Sequence, residues 1–240
     1  MKIGNIELKN NIAIAPLAGY TNLAYRKIMK EFGAGLVYTE MISAKGLLYE
    51  NDKTWELTTV DSNEHPVAVQ IFGGEIEDMI KATKLLDERS DCDIIDINMG
   101  CPVNKVVKGT DGCALMRNVE LAEEIVSTVK SQISVPLSVK FRLGYTFDEL
   151  NFVEYGQRMQ SAGADFITIH GRTRSQMYGG KADWKKIAEL KRNVDIPVFA
   201  NGDVVSIETA DPSMDRKHCV INVSRNKKGA LIYTLRDNQS

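Results

Sequence analysis

Asp96-Ile97-Asn98-Met99-Gly100-Cys101-Pro102-Val103 is the stretch whose reading decides the fold. Ile94 and Ile95 lead into it as part of a buried strand, Ile94–Asn98, and Gly-Cys-Pro ends that strand on a rigid turn. A thiol and an amide, Cys101 and Asn98, thus stand at the C-terminal tip of a strand. In parallel α/β proteins that is where ligands bind and chemistry occurs. A loop cysteine packed as a small hydrophobe is the commoner arrangement, so the rest of the chain has to decide between the two.

Working outward, the same design recurs. Short, nearly continuous apolar runs are expected to form strands at Ile12–Pro16, Leu36–Met41, Val67–Phe72, Leu137–Phe141, Phe166–His170 and Val198–Asn201, each buried on both faces. Helical stripes alternate with them. Tyr25, Ile28, Met29 and Phe32 stop at Gly33, Ala122 to Ile133 make a second stripe, and Phe152, Tyr155, Met159 and Ala162 stop at Gly163. All three stripes are expected to face the core. Alternation of this kind means βαβ units and a parallel sheet, either open or closed. Polar residues decide for closure, because they mark nearly every strand tip: Glu40, Gln70, Asn98, Lys140 with Arg142, His170 and Asn201. A barrel gathers all its tips around one mouth, whereas an open sheet concentrates function at one switch point. The expected fold is an α/β (β/α)₈ barrel of the TIM type. Its eighth unit is irregular, since Cys219–Ser224 is the one remaining strand candidate and a polar, unstriped segment precedes it.

Bulk properties agree with a soluble enzyme-sized domain. The chain has 240 residues, 43% of them hydrophobic and 26% charged, with a formal net charge of −2. Such a balance argues against a grip on nucleic acid by bulk charge, though not against a local basic face. Four cysteines and three histidines show no zinc-ligand spacing, so reduced thiols and no metal are expected. No apolar run approaches a membrane span and Met1-Lys2-Ile3-Gly4-Asn5 opens no signal peptide, which points to a cytoplasmic protein without a membrane partner, read here as a monomer.

Six motifs, in order and spacing from about Asn11 to Asp203, make the chain resemble the tRNA-dihydrouridine synthases, flavoproteins that reduce uridine in tRNA. They are Ala15-Pro16-Leu17-Ala18-Gly19-Tyr20-Thr21, Gln70-Ile71-Phe72-Gly73, Asp96 to Pro102, Lys140-Phe141-Arg142-Leu143-Gly144, Thr168-Ile169-His170-Gly171-Arg172-Thr173-Arg174 and Ala200-Asn201-Gly202-Asp203. The resemblance implies FMN as cofactor, NADPH as electron donor and tRNA as partner. It lays the Pro16, Leu17 and Ala18 turn along the flavin ring and sets Gln70 at the pyrimidine edge. Lys140 then faces the N1–O2 edge, with His170 against the cofactor. Asn201, Gly202 and Asp203 fall on the ribityl-phosphate side.

By the same resemblance Cys101 is the acid that protonates uracil, a role that needs the thiol rather than the thiolate. Asn98 and Arg142 are the candidates for holding the uracil edge. Lys105, Lys108, Arg117, Arg172, Arg174 and Lys181 are expected on loops rimming the mouth, where phosphates would pass.

The chain departs from the family at its C-terminal end. Where members carry a Gly-Arg pair that binds the FMN phosphate at a helix N-terminus, this chain has Ser224 and Arg225. By the same resemblance, the helical domain that members use to hold tRNA is expected to be missing from this chain. The expected organisation is therefore an FMN-binding barrel over residues 1–205 and an atypical segment over 206–240. Two other readings stay open: a weakly active or inactive flavin- or RNA-binding remnant, and a flavin barrel acting on a free pyrimidine.

Overall fold

The computed structural model describes residues 1–49, 51–107, 109–204, 219–225 and 231–237. It divides into two units, Met1–Asn201 and Gly202–Ser240.

The first unit opens with a small antiparallel hairpin, β1 (Lys2–Ile3) and β2 (Ile6–Glu7). There follow β3 (Ala13–Ile14), α1 (Leu23–Glu31), β4 (Leu36–Tyr38), β5 (Ile42–Ser43), α2 (Ala44–Leu48), α3 (Asp52–Glu56), β6 (Val67–Phe72) and α4 (Ile76–Arg89). The second half runs through β7 (Ile94–Asn98), α5 (Asn104–Val107), a 3₁₀ turn (Gly112–Arg117), α6 (Val119–Lys130), β8 (Leu137–Arg142), α7 (Phe152–Ser161), β9 (Phe166–His170), α8 (Trp184–Arg192) and β10 (Val198–Asn201). Seven of these strands pair in the order β10-β9-β8-β7-β6-β4-β3, all parallel, with β5 adding to the end of β6. The result is a nearly closed parallel barrel.

Four expected strands, β6, β7, β9 and β10, form over the residues the sequence indicates, and β8 extends by one to Arg142. The first is shorter than expected. The stretch Leu36–Met41 splits after Tyr38, because the N–H of Gln70 donates to the Thr39 hydroxyl at 3.0 Å where a regular ladder would use a carbonyl.

Side chains alternate along each strand. Val69, Ile71, Ile95, Ile97, Leu137, Val139, Phe141, Ile167 and Ile169 point outward into the large core shared with the helices. Leu36, Tyr38, Ala68, Ile94, Phe166 and Phe199 belong instead to a second cluster with Ile3 and Leu8, so the N-terminal hairpin supplies part of the barrel's apolar floor.

Helices α6 and α7 bury their expected stripes, including Ala122, Ile125, Val126, Val129, Tyr155 and Met159. Helix α1 does not. Met29 is buried, but Ile28 and Phe32 are 46% and 48% exposed, and Arg26 takes the inward position. Its guanidinium makes a two-point ion pair with buried Glu64, at 2.8 and 3.0 Å, and donates to the carbonyls of Thr21 and Thr59. Polar partners remote in sequence thus overrode the apolar period.

In the second unit, β11 (Cys219–Arg225) pairs antiparallel with β12 (Leu231–Asp237), with Ser224 opposite Ile232 and Arg225 opposite Leu231. The irregular eighth strand is therefore half of a hairpin, and a strand stands where the family resemblance implies a helix.

Candidate active site

Register brings the polar strand tips together. Gln70 pairs with Asp96, Asn98 with Lys140, Lys140 with Thr168, Arg142 with His170, and His170 with Asn201. Because these residues share the inward parity of their strands, they form the upper layers of the barrel interior above the apolar floor. Asp96, Gln70 and Ser138 are fully buried, and Asn98, Arg142 and His170 nearly so.

Cys101 is held from three sides. Its N–H and that of Gly100 both donate to Asn98 Oδ1, at 2.8 and 3.0 Å. Its carbonyl accepts from the N–H of Cys113 at 3.1 Å. Arg142 Nε donates to the carbonyl of Gly100 at 2.9 Å, while Nη1 reaches the carbonyls of Thr173 and Met177, so one guanidinium ties the β7 loop to the β9 loop. Gly100 permits this path: a Cβ there would lie 3.2 Å from the Phe141 backbone. Burial raises the Cys101 thiol above its ordinary pKa, against weaker opposing contributions from the Val103 backbone, Arg142 and Lys140. The group stays a thiol at neutral pH. Cys92 and Cys113, also buried and unpaired, are pushed higher still, to about 11 and about 12.

Lys140 makes no hydrogen bond or ion pair among the described residues. Its ammonium is pushed down to about 8, chiefly by desolvation and then by Arg142, with Asp96 pulling the other way. His170 is pushed down to about 2 by burial and by Lys140, Arg142 and Arg172. It is therefore neutral. Arg172 Nη1 lies 3.3 Å from His170 Nε2; since a guanidinium only donates, Nε2 accepts and the proton sits on Nδ1.

Several expected ligand residues are already engaged within the protein. Gln70 donates through Nε2 to Asp96 at 2.6 Å and accepts through Oε1 from Asn98 at 2.8 Å, leaving one N–H. Asn98 likewise keeps one N–H, turned toward the Met41 sulfur at 3.9 Å. Arg142 keeps its Nη2 amino group. Pro16, Leu17 and Ala18 form a turn beyond β3, pinned by the Thr21 hydroxyl to Leu17 N–H at 3.1 Å and by Glu40, which accepts from Gly19 N–H. The backbone carbonyl of Asn201 accepts from Gly171 N–H at 3.0 Å. Gly202 and Asp203, the first residues of the second unit, both take positive φ, 109° and 55°. The side chains of Ser224 and Arg225 lie outside the described residues.

The expected basic rim needs correction at Arg172. It is 6% exposed and donates to the carbonyls of Gly179 and Gly180, so it braces its own loop. Arg117 forms a two-point ion pair with Glu149 and stacks 3.7 Å over Tyr145. Lys105 and Lys181 are exposed, and Lys108 lies outside the described residues.

A flavin fits this layer on one count above others. A buried ammonium with no hydrogen bond or ion pair among the described residues, offset only in part by Asp96, calls for an anionic or strongly accepting partner. The N1–O2 edge of a flavin is such a partner, and the neutral imidazole beside it repels no cation.

The family model for dihydrouridine synthase (Dus) matches residues 13–225, covering every strand tip described above. The chain belongs to the dihydrouridine synthase family. It is 39% identical over 211 residues to a probable tRNA-dihydrouridine synthase 1 of Synechocystis, covering 88% of this chain and 59% of that protein. Against a probable tRNA-dihydrouridine synthase of Rickettsia conorii the identity is 38%, over 90% of this chain and 65% of the relative. Against tRNA-dihydrouridine synthase B of Proteus vulgaris it is 41%, over 85% and 63%. The chain thus spans about three fifths to two thirds of the length of these relatives. Among solved structures, an old yellow enzyme homologue from Zymomonas mobilis aligns with TM-score 0.60 at 12% identity, over 85% of this chain and 81% of that one. A 2-naphthoyl-CoA reductase aligns with TM-score 0.62 at 14% identity, over 86% and 46%. At these identities the likeness is one of fold. Among the described residues no helix is long and apolar enough to cross a membrane.

Proposed function

We propose that this chain is the catalytic barrel of a tRNA-dihydrouridine synthase, which binds FMN at the strand tips and reduces uridine in tRNA to 5,6-dihydrouridine with electrons from NADPH. One observation carries the reading: a thiol held protonated by burial at the barrel mouth, on the strand next to a buried ammonium that has no hydrogen bond or ion pair among the described residues. The names of the relatives and the family match support it.

When bound, the flavin supplies the hydride that saturates one carbon of the uracil 5,6-double bond. Cys101 gives its thiol proton to the other carbon, as a general acid whose raised pKa keeps the proton in place until it is needed. Lys140 holds the electron-rich edge of the cofactor, a recognised means of tuning a flavin. His170, uncharged, packs against it, Gln70 offers its remaining N–H to the pyrimidine edge, and Pro16, Leu17 and Ala18 flank the ring. Arg142 Nη2 and the Asn98 N–H that otherwise faces the Met41 sulfur are the donors for the uracil carbonyls. Toward the ribityl phosphate the family resemblance assigns Asn201, Gly202, Asp203, Ser224 and Arg225. Reaching Cys101 requires the uridine to leave its stack and enter the mouth.

The direct test supplies the purified chain with FMN, NADPH and an unmodified tRNA transcript, and measures dihydrouridine by mass spectrometry. Appearance of dihydrouridine in tRNA is the expected result. Reduction of free uridine with none in tRNA would replace the reading with that of a free-pyrimidine reductase, and no product from either, with the flavin demonstrably reduced, would overturn it.

A further inference from the structure

One buried group has no place in the chemistry above. The carboxylate of Asp96 is fully buried in the barrel interior, two residues before Asn98 and on the same face of β7. Its Oδ1 accepts from the Ser138 hydroxyl and its Oδ2 from Gln70 Nε2 at 2.6 Å. From there a single line of hydrogen bonds leads to the thiol loop. Gln70 Oε1 accepts from Asn98 Nδ2 at 2.8 Å, and Asn98 Oδ1 accepts from the N–H groups of Gly100 and Cys101.

The direction of every link is fixed from both ends. Burial raises the Asp96 pKa, against the Ser138 and Gln70 hydrogen bonds and Lys140; its Oδ2 accepts, and so faces the NH₂ end of Gln70. That turns the Gln70 carbonyl toward Asn98, which must answer with its own NH₂, leaving the Asn98 carbonyl aimed at the Cys101 loop. At the far end the N–H groups of Gly100 and Cys101 can only donate, so they hold the Asn98 carbonyl toward them and agree with the order that Asp96 sets, and Asp96 anchors the Gln70 end of the line. We propose that Asp96 is a positioning residue, which through Gln70 and Asn98 sets the backbone of Gly100 and Cys101 and so aims the thiol. The proposal rests on the reading of Cys101 as the proton donor for its catalytic consequence, but not for its structural one.

Asp96→Asn keeps the order of the chain, since its carbonyl can still accept from Gln70 while its NH₂ turns to the Ser138 oxygen. Asp96→Leu, of similar shape, removes the anchor. Two readouts need no cofactor: hydrogen exchange of the Gly100 and Cys101 amides, and the alkylation rate of Cys101 by iodoacetamide. In Asp96→Leu both are expected to rise about tenfold or more, and single-turnover uridine reduction to fall by ~10²-fold at unchanged KM, the scale of a misaimed catalytic group. Asp96→Asn is expected to behave as the native chain in all of these. Should Asp96→Leu fail to fold, Gln70→Met breaks the same line one step later and is read by amide exchange alone.

Native protection of the Cys101 amide in a folded Asp96→Leu or Gln70→Met chain overturns the proposal, as does loss of protection in Asp96→Asn. If protection changes as expected while the native chain reduces no uridine, the functional reading fails and the positioning role stands.

Discussion

The neutrality of His170 has a consequence for acid stability that is open to measurement. Its pKa is about 2 in the folded protein, against about 6.5 in an unfolded chain. Between these values the unfolded state binds a proton that the folded state refuses, so stability falls as pH drops below 6.5. At pH 7 the unfolded imidazole is about a quarter protonated, and at pH 5 almost fully. Taking 1.36 kcal/mol per pH unit, His170 alone removes about 2 kcal/mol of stability between pH 7 and pH 5. His170→Gln keeps an acceptor for Arg172 but cannot titrate. Urea unfolding of both proteins at the two pH values isolates the contribution, because His65, whose pKa is raised mainly against its burial by Asp93 and Asp91, is common to both. The expected result is a pH 7 to pH 5 loss about 2 kcal/mol smaller in His170→Gln than in the native chain. A difference below about 0.5 kcal/mol, or an NMR titration of His170 with a midpoint above pH 5, would refute the argument that three neighbouring cations and burial keep it neutral.

Three further outcomes are expected. Cys101→Ala lowers uracil reduction by ~10²–10⁴-fold while flavin reduction by NADPH, followed by stopped flow, is preserved; failure of the flavin step itself would take the acid role from Cys101. Lys140→Met weakens flavin binding yet stabilises the flavin-free protein by roughly 1–2 kcal/mol in thermal melts at pH 7, since it removes a desolvated charge that Asp96 offsets only in part; a lower melting temperature would mean the ammonium is compensated. FMN and lumiflavin bind with affinities within about tenfold of each other by fluorescence quenching, because Ser224 and Arg225 are a poorer phosphate cradle than Gly-Arg, and each lost charge-assisted hydrogen bond removes about 1.5–3 kcal/mol. Nanomolar FMN with lumiflavin thousands of times weaker would show a whole phosphate site.

The barrel was legible in the sequence because its signal is local. Apolar runs such as Val67–Phe72 and Phe166–His170 carry their own length and limits, and a polar residue at nearly every tip reports which end of the strand is the mouth. What stayed hidden depends on partners far apart in the chain. Arg26 looks like a surface residue of α1 until Glu64, 38 positions on, is seen to bury with it. Arg172 reads as a rim cation because nothing local reveals that the carbonyls of Gly179 and Gly180 turn back to receive it. Gln70 and Asn98 were assigned to ligands, and the structure shows most of their hydrogen-bonding capacity committed to Asp96 and the Cys101 loop. A clue to that line did exist: Asp96 and Asn98 share one parity on a strand whose alternate residues are isoleucine, which places two polar groups together in the barrel interior.

The alternation along β8 bears on how such a barrel changes over generations. Leu137, Val139 and Phe141 belong to the wall of the molecule, whereas Ser138, Lys140 and Arg142 belong to its workings, and the two sets are interleaved residue by residue. Substitution at the even positions changes the polar lining of the mouth while the apolar wall stays in place. Insertion or deletion of one residue does the opposite, exchanging the two sets at a stroke and sending Lys140 into the helical shell. Drift in this strand should therefore proceed by replacement and almost never by change of length.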